Sequence, residues 1–93
     1  MSALKAEMRK RVLVLDGAMG ALLQAHGKSG NLDALCLTEP ELVADIHREY
    51  LEAGADIIET NTFNSNRLSQ QAYGMAAQVA DINMAAARIA REA

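Results

Sequence analysis

The stretch VLVLDGAMG, residues 12–20, joins four consecutive aliphatic side chains to a carboxylate and two glycines. An aliphatic run without alternation is typical of a strand that is buried on both faces, as in a parallel sheet covered by helices. We therefore predict a strand that ends at Asp16 and a helix that begins near Ala18. Ligands collect beyond the carboxyl ends of such strands, where Gly17 would let the backbone approach a bound group. In the alternative interpretation, Asp16 only caps the helix.

A second unit repeats this arrangement. The segment ADIIE, residues 55–59, predicts another short strand that ends in an acid, and the polar run TNTFNSN follows it at residues 60–66. Between the two units, TEPE at residues 38–41 has the form of a capping box, so we predict a helix that begins at Glu39 and ends near Gly54. A crossover of this length favours parallel pairing and would make Asp16 and Glu59 neighbours on one rim.

The two motifs together, LDGAMG at residues 15–20 and EAGADIIETNTFNSN at residues 52–66, resemble the amino-terminal homocysteine-binding domain of methionine synthase and related homocysteine S-methyltransferases. The resemblance implies a (β/α)8 TIM-type barrel. The predicted fold class is therefore α/β, the incomplete first part of such a barrel, with two parallel strands and flanking helices. Residues 1–10 are predicted to be an N-terminal helical lead-in, and residues 11–93 a partial homocysteine-binding barrel domain truncated at its C-terminus.

The function that this resemblance implies is transfer of a methyl group to the thiol of homocysteine, which makes methionine. Asp16 would bind the amino group or shape the pocket, and the second loop would hydrogen-bond the ligand or only its own turns and caps. The candidate substrate-binding residues are Asp16, Gly17, Ala18, Met19, Glu59, Asn61 and Thr62. No catalytic residue is assigned. A methyl donor such as betaine or S-methylmethionine is an alternative.

The resemblance also implies a zinc ion that activates the thiol as a thiolate, held by cysteines of later strands that this chain lacks. Cobalamin is expected in the complete enzyme if it is a methionine synthase. Cys36, the single cysteine, matches none of those ligands and is interpreted as a small semi-buried thiol. His47 is expected to be partly exposed at the border of a helical stripe. We therefore predict no metal ligand in this chain and no cofactor bound by it alone.

Length suggests an incomplete domain, because a full barrel takes ~250 residues and eight strands, whereas this chain has 93 residues. The apolar stripe of Val79, Ile82, Ala86 and Ile89 runs to the last residues without a stop signal. We expect the remainder of the barrel to be a partner, and the isolated chain to be inactive. Two other hypotheses stay open, which are a non-catalytic α/β module that binds a small ligand and a self-associating helical protein.

Composition favours a cytoplasmic α/β protein, with 51% hydrophobic residues, 23% charged residues and a net charge of −3. The apolar runs are far shorter than the ~20 residues of a membrane span. An acidic chain with only two tyrosines and one phenylalanine as aromatic residues does not favour nucleic acid as a partner. The polar segment HGKSGN, residues 26–31, is interpreted as a mobile loop.

Overall fold

The computed structural model describes residues 2–93, and the regular structure of this part of the chain is helical. Its helices are α1 (Ser2–Lys10), α2 (Met19–Ala25), α3 (Leu35–Thr38), α4 (Pro40–Glu52), α5 (Arg67–Gln71) and α6 (Val79–Glu92), with a 3-10 turn at Ala76–Gln78. Helix α1 occupies the segment predicted as a helical lead-in, of which Met1 lies outside the described residues. No helix among residues 2–93 is long and apolar enough to cross a membrane.

Helix α4 forms where its sequence signals predict it. Pro40 occupies its first turn, where the missing N–H is not needed, and Gly54 follows its end with φ +109°. The predicted capping box is wrong, because no side chain caps this helix. Thr38 instead donates its hydroxyl proton to the Ala34 carbonyl at 3.3 Å, within the preceding helix.

The apolar core lies between α3, α4 and α6. Its buried members are Cys36, Val43, Ile82, Ala86 and Ile89. The apolar side chains of α6 recur at steps of four and three, which places them on one face of a helix. The stripe of α6 is therefore covered by α3 and α4.

The predicted pair of parallel strands, and with it the α/β fold and the start of a barrel, is wrong. Among residues 2–93 no segment qualifies as a strand and there is no sheet, only one isolated parallel bridge between Leu15 and Ile57. The aliphatic run that predicted burial on both faces is largely open, with Val12 86% exposed. The segments around Leu15 and Ile57 lack the further pairing that a stable sheet needs, and Val14 and Leu15 are each more than half exposed.

Candidate functional site

A cavity of about 430 Å³ lies where the segments 16–20, 30–33 and 59–64 meet. The structure brings all seven predicted substrate-binding residues to its wall, namely Asp16, Gly17, Ala18, Met19, Glu59, Asn61 and Thr62. These residues come from two segments that are far apart in the sequence. The contact between Leu15 and Ile57 brings the two segments together. Substrate binding by these residues stays a prediction.

Asp16 joins the two predicted loops directly. Its Oδ2 accepts a hydrogen bond from the Glu59 backbone N–H at 3.0 Å, and its own N–H donates to the Ile57 carbonyl at 2.9 Å. The alternative in which Asp16 caps the following helix is wrong, since α2 has Ala18 at its N-cap position and no side-chain cap. The carboxylate therefore holds the two loops together.

Gly17 lies against Tyr50 of α4. A Cβ atom at position 17 would lie 2.7 Å from the Tyr50 Oη, which is closer than real Cβ contacts. The same hydroxyl donates to the Ala18 carbonyl at 3.4 Å. The Tyr50 hydroxyl of α4 thus reaches the first loop, a contact that no local pattern of the sequence indicated. Glycine lets the phenol approach this closely, and a larger residue would have to displace the end of the Tyr50 side chain.

Asn61 and Thr62 use their side chains mainly within the protein. Asn61 is buried, and its Nδ2 donates to the Leu32 carbonyl at 2.9 Å. The Thr62 hydroxyl shares a hydrogen bond of 2.7 Å with that of Thr60. The side chain of Glu59 is exposed, and no hydrogen bond or ion pair within residues 2–93 involves its carboxylate. Loop-internal bonding thus accounts for Thr62, whereas Asn61 bonds to the segment around Leu32 and the Glu59 carboxylate has neither kind of contact within residues 2–93.

Sequence reasoning missed Asp33, which lines the cavity while only 4% of its surface is exposed. Its Oδ2 accepts a hydrogen bond from the Asn64 backbone N–H at 2.6 Å. Burial raises the pKa of Asp33, and the hydrogen bond from Asn64 opposes that rise. Asp33 follows a segment that was interpreted as a mobile loop, and no local pattern indicated that its carboxylate would be buried.

Gln70 of α5 was missed as well. It is fully buried, and its side-chain amide pairs reciprocally with that of Asn31, with Gln70 Nε2 donating to Asn31 Oδ1 at 3.2 Å. The same Nε2 donates to the Asn64 carbonyl at 3.0 Å. The segment 26–31, which was predicted to be mobile, is therefore hydrogen-bonded to α5 through Asn31, beside the cavity.

The model of the homocysteine S-methyltransferase family matches residues 13–93. The chain belongs to the homocysteine S-methyltransferase family. The resemblance drawn from LDGAMG and ETNTFNSN is thus confirmed at the level of the family. The matched range includes all three segments that line the cavity and leaves α1 outside.

The charged side chains that line this cavity are all negative. Asp16, Asp33 and Glu59 line it, and its described lining contains no lysine, arginine or histidine. Homocysteine carries an ammonium group beside its carboxylate and thiol. A wall with carboxylates and no side-chain cation favours the ammonium group electrostatically.

His47 lies in the interior of the chain rather than at its surface. The prediction of partial exposure is wrong, since the ring is fully buried and neither nitrogen has a hydrogen-bond partner among the described residues. Burial lowers the pKa of His47, and the negative charge of Asp16 partly opposes this effect. The ring is therefore neutral at physiological pH.

A zinc ion, expected from the family resemblance, does not fit the described part of the chain. No three His, Cys, Asp or Glu side chains of residues 2–93 are grouped so that they could hold a metal. Cys36 is buried and contacts the Asn61 carbonyl at 3.5 Å, and burial raises the pKa of its thiol. Cys36 thus contacts Asn61, and no group of three metal-ligating side chains within residues 2–93 includes it.

Proposed function

We propose that this chain binds homocysteine in the cavity and takes part in the transfer of a methyl group to its thiol. Membership of the homocysteine S-methyltransferase family supports this function. The observation that carries it is the convergence of both motifs on one cavity, through the hydrogen bond from the Glu59 N–H to Asp16. A volume of about 430 Å³ also suits a small amino acid, since ligand pockets span roughly 300–1,000 Å³.

The ammonium group of homocysteine is assigned to the carboxylate side of the cavity, at Asp16 and Glu59. Asp16 is half-buried and keeps one oxygen engaged with the Glu59 N–H, so its orientation is set before the ligand arrives. Glu59 carries the exposed carboxylate whose side chain is not used elsewhere within residues 2–93. The backbone of Gly17, Ala18 and Met19 lines the amino-acid end of the ligand.

The methyl donor is proposed from the resemblance alone. A methionine synthase would use cobalamin, and relatives that use betaine or S-methylmethionine are the alternative. Zinc lowers the pKa of a bound thiol and leaves the sulfur nucleophilic. Because the described residues offer no metal-binding group, any zinc that activates homocysteine would be held by residues outside this chain. A cytoplasmic location stays a prediction.

Calorimetric titration of the 93-residue chain with homocysteine tests this function. The matched ligand is γ-mercaptobutyrate, which has the thiol and carboxylate but lacks the amino group. Asp16→Asn keeps an oxygen that can accept from the Glu59 N–H and removes the charge, so we expect affinity for homocysteine to fall about tenfold. Affinity for γ-mercaptobutyrate should change little.

Asp81→Asn is the control variant, because Asp81 is an exposed carboxylate on α6 and does not line the cavity. It should leave both affinities unchanged. Equal losses for the two ligands in Asp16→Asn would contradict recognition of the ammonium group. Absence of homocysteine binding by the unaltered chain would contradict the proposed function itself.

A further inference from the structure

We propose that Asp33 and Gln70 are positioning residues that hold the 61–64 loop against the cavity by binding the two sides of the Asn64 backbone. We call the side chains of Asn31, Asp33 and Gln70, together with the backbone of Asn64, the Asn64 latch. The latch sets the affinity for the ligand through the loop that carries Asn61 and Thr62. The effect on affinity rests on the proposed function, whereas the order of the loop does not.

Both polar groups of the Asn64 backbone are engaged by side chains from other segments. Its N–H donates to Asp33 Oδ2 at 2.6 Å, and its carbonyl accepts from Gln70 Nε2 at 3.0 Å. The reciprocal amide pair with Asn31 fixes the rotamer of Gln70. Three parts of the chain, the 30–33 segment, the 61–64 loop and α5, are thus joined at one residue.

The position of the 61–64 loop depends on these hydrogen bonds because apolar burial contributes little to it. Phe63 lines the cavity but is 93% exposed, and Leu68 at the start of α5 is 83% exposed. The buried side chains beside the loop are instead polar, with Gln70 fully covered and Asp33 almost so. A buried amide or carboxylate is unfavourable unless it is hydrogen-bonded, so this arrangement holds the loop in one place.

Helix α5 gives the latch a fixed anchor. Asn66 caps this helix by accepting a hydrogen bond from the Ser69 N–H at 2.9 Å. The cap fixes where the helix begins, and one turn later Gln70 faces the interior while its neighbour Gln71 is exposed. These adjacent glutamines differ in burial and in contact with Asn64, which makes them a matched pair for experiment.

The first test compares Gln70→Ala with Gln71→Ala in the 93-residue chain. Three quantities are measured, which are homocysteine affinity by calorimetry, exchange of the Asn64 backbone amide by NMR, and the thermal melting temperature. We expect Gln70→Ala to weaken binding and to accelerate exchange by about tenfold each, because Asn64 loses a buried hydrogen bond. Gln71→Ala should change neither. Unchanged affinity and exchange in a folded Gln70→Ala variant would overturn the proposal.

A second pair keeps the proposal testable if Gln70→Ala fails to fold. Asp33→Ala removes the acceptor of the Asn64 N–H, whereas Asp33→Asn keeps an oxygen at that place. Asp33→Ala should lose about tenfold in affinity, and Asp33→Asn should recover most of that loss. An equal loss in both variants would mean that the charge of Asp33 acts on the ligand directly, which contradicts a positioning role.

The exchange measurement separates this inference from the proposed function. If the unaltered chain does not bind homocysteine, the proposed function is wrong, and the Asn64 amide still reports on the latch. Faster exchange in Gln70→Ala and Asp33→Ala, with normal exchange in Gln71→Ala, supports the latch in that case. Normal exchange in all three variants overturns it.

Discussion

The helical core and the cavity wall are stabilised in different ways. In the core, Val43, Ile82 and Ala86 from two helices are fully buried against one another. At the cavity, Phe63 is almost fully exposed, and the segments are held by hydrogen bonds such as that from the Glu59 N–H to Asp16. Regions with little apolar burial open most readily, and ligand-binding loops are commonly drawn from them. The cavity wall meets the core through few apolar side chains, among them Met19.

The apolar stripe of α6 and the aliphatic run at residues 12–15 differ in how much packing they require from the rest of the chain. The stripe on α6 needs one apolar neighbour, which α3 and α4 supply. The run at residues 12–15 needs cover on two faces and further strands beside it. Among the described residues only the first requirement is met. Because the run at residues 12–15 lacks cover on both faces, Val14 and Leu15 are exposed.

The largest expected effect on stability comes from making the same substitution, Val to Ala, once in the helical core and once in the exposed aliphatic run. Val43→Ala should reduce the free energy of unfolding by about 2 to 3 kcal/mol, through lost burial and a residual cavity. Val12→Ala removes the same atoms from an exposed side chain and should stay within about 0.5 kcal/mol. Urea unfolding of both variants measures this. Similar losses in the two would mean that the aliphatic run is covered in solution.

A second prediction concerns the contact between α4 and the first cavity loop. Gly17→Ala should destabilise the chain by about 1 kcal/mol and weaken homocysteine binding, because the new Cβ displaces the Tyr50 hydroxyl from the Ala18 carbonyl. Gly20→Ala is the control, since a Cβ there would meet only Leu32 Cδ1 at an ordinary 3.7 Å. It should be neutral or stabilising by up to about 1 kcal/mol, as Gly20 lies in α2. Equal effects would disprove the Tyr50 contact.

A third prediction uses the buried ring of His47 on α4. Because burial lowers its pKa in the fold, the unfolded chain binds the proton more readily below about pH 6.5. Stability should therefore fall as the pH drops from 7.5 through that value. His47→Leu should flatten this fall in the melting temperature, whereas His26→Leu, at an exposed position, should not. A pH profile unaltered by His47→Leu would contradict the burial of a neutral ring.

The smallest expected effect on stability concerns an ion pair that precedes the two cavity loops in the sequence. Arg11 and Asp56 form an exposed ion pair of 2.9 Å, and Asp56 also accepts from the Val14 N–H. Arg11→Gln should change the urea midpoint slightly, and less at high salt, because exposed ion pairs are screened. Asp56→Ala should change it more, since it also loses the backbone contact. A salt-independent loss in Arg11→Gln would indicate a contribution other than charge.

Local patterns predicted the parts of the molecule whose structure depends on neighbouring residues. The period of α4 and α6, the end of α4 at Gly54 and the two motifs that carry the family resemblance all lie in short stretches of sequence. Helical periodicity and turn residues act over a few positions, so they can be recognised without knowing the fold. The convergence of Asp16 with Glu59 was also predicted, although the parallel sheet from which we predicted it does not form among residues 2–93.

Tertiary contacts decided the rest. Whether the 12–15 run joins a sheet depends on distant cover, and whether His47, Asp33 and Gln70 are buried depends on which segments pack above them. The Tyr50 hydroxyl at Gly17 and the Asn64 latch join residues more than thirty positions apart in sequence, from 17 to 50 and from 31 to 64. The sequence by itself determined the helices and the family, whereas only the folded chain decided which polar groups were enclosed together, because burial belongs to the packing of segments and not to any one of them.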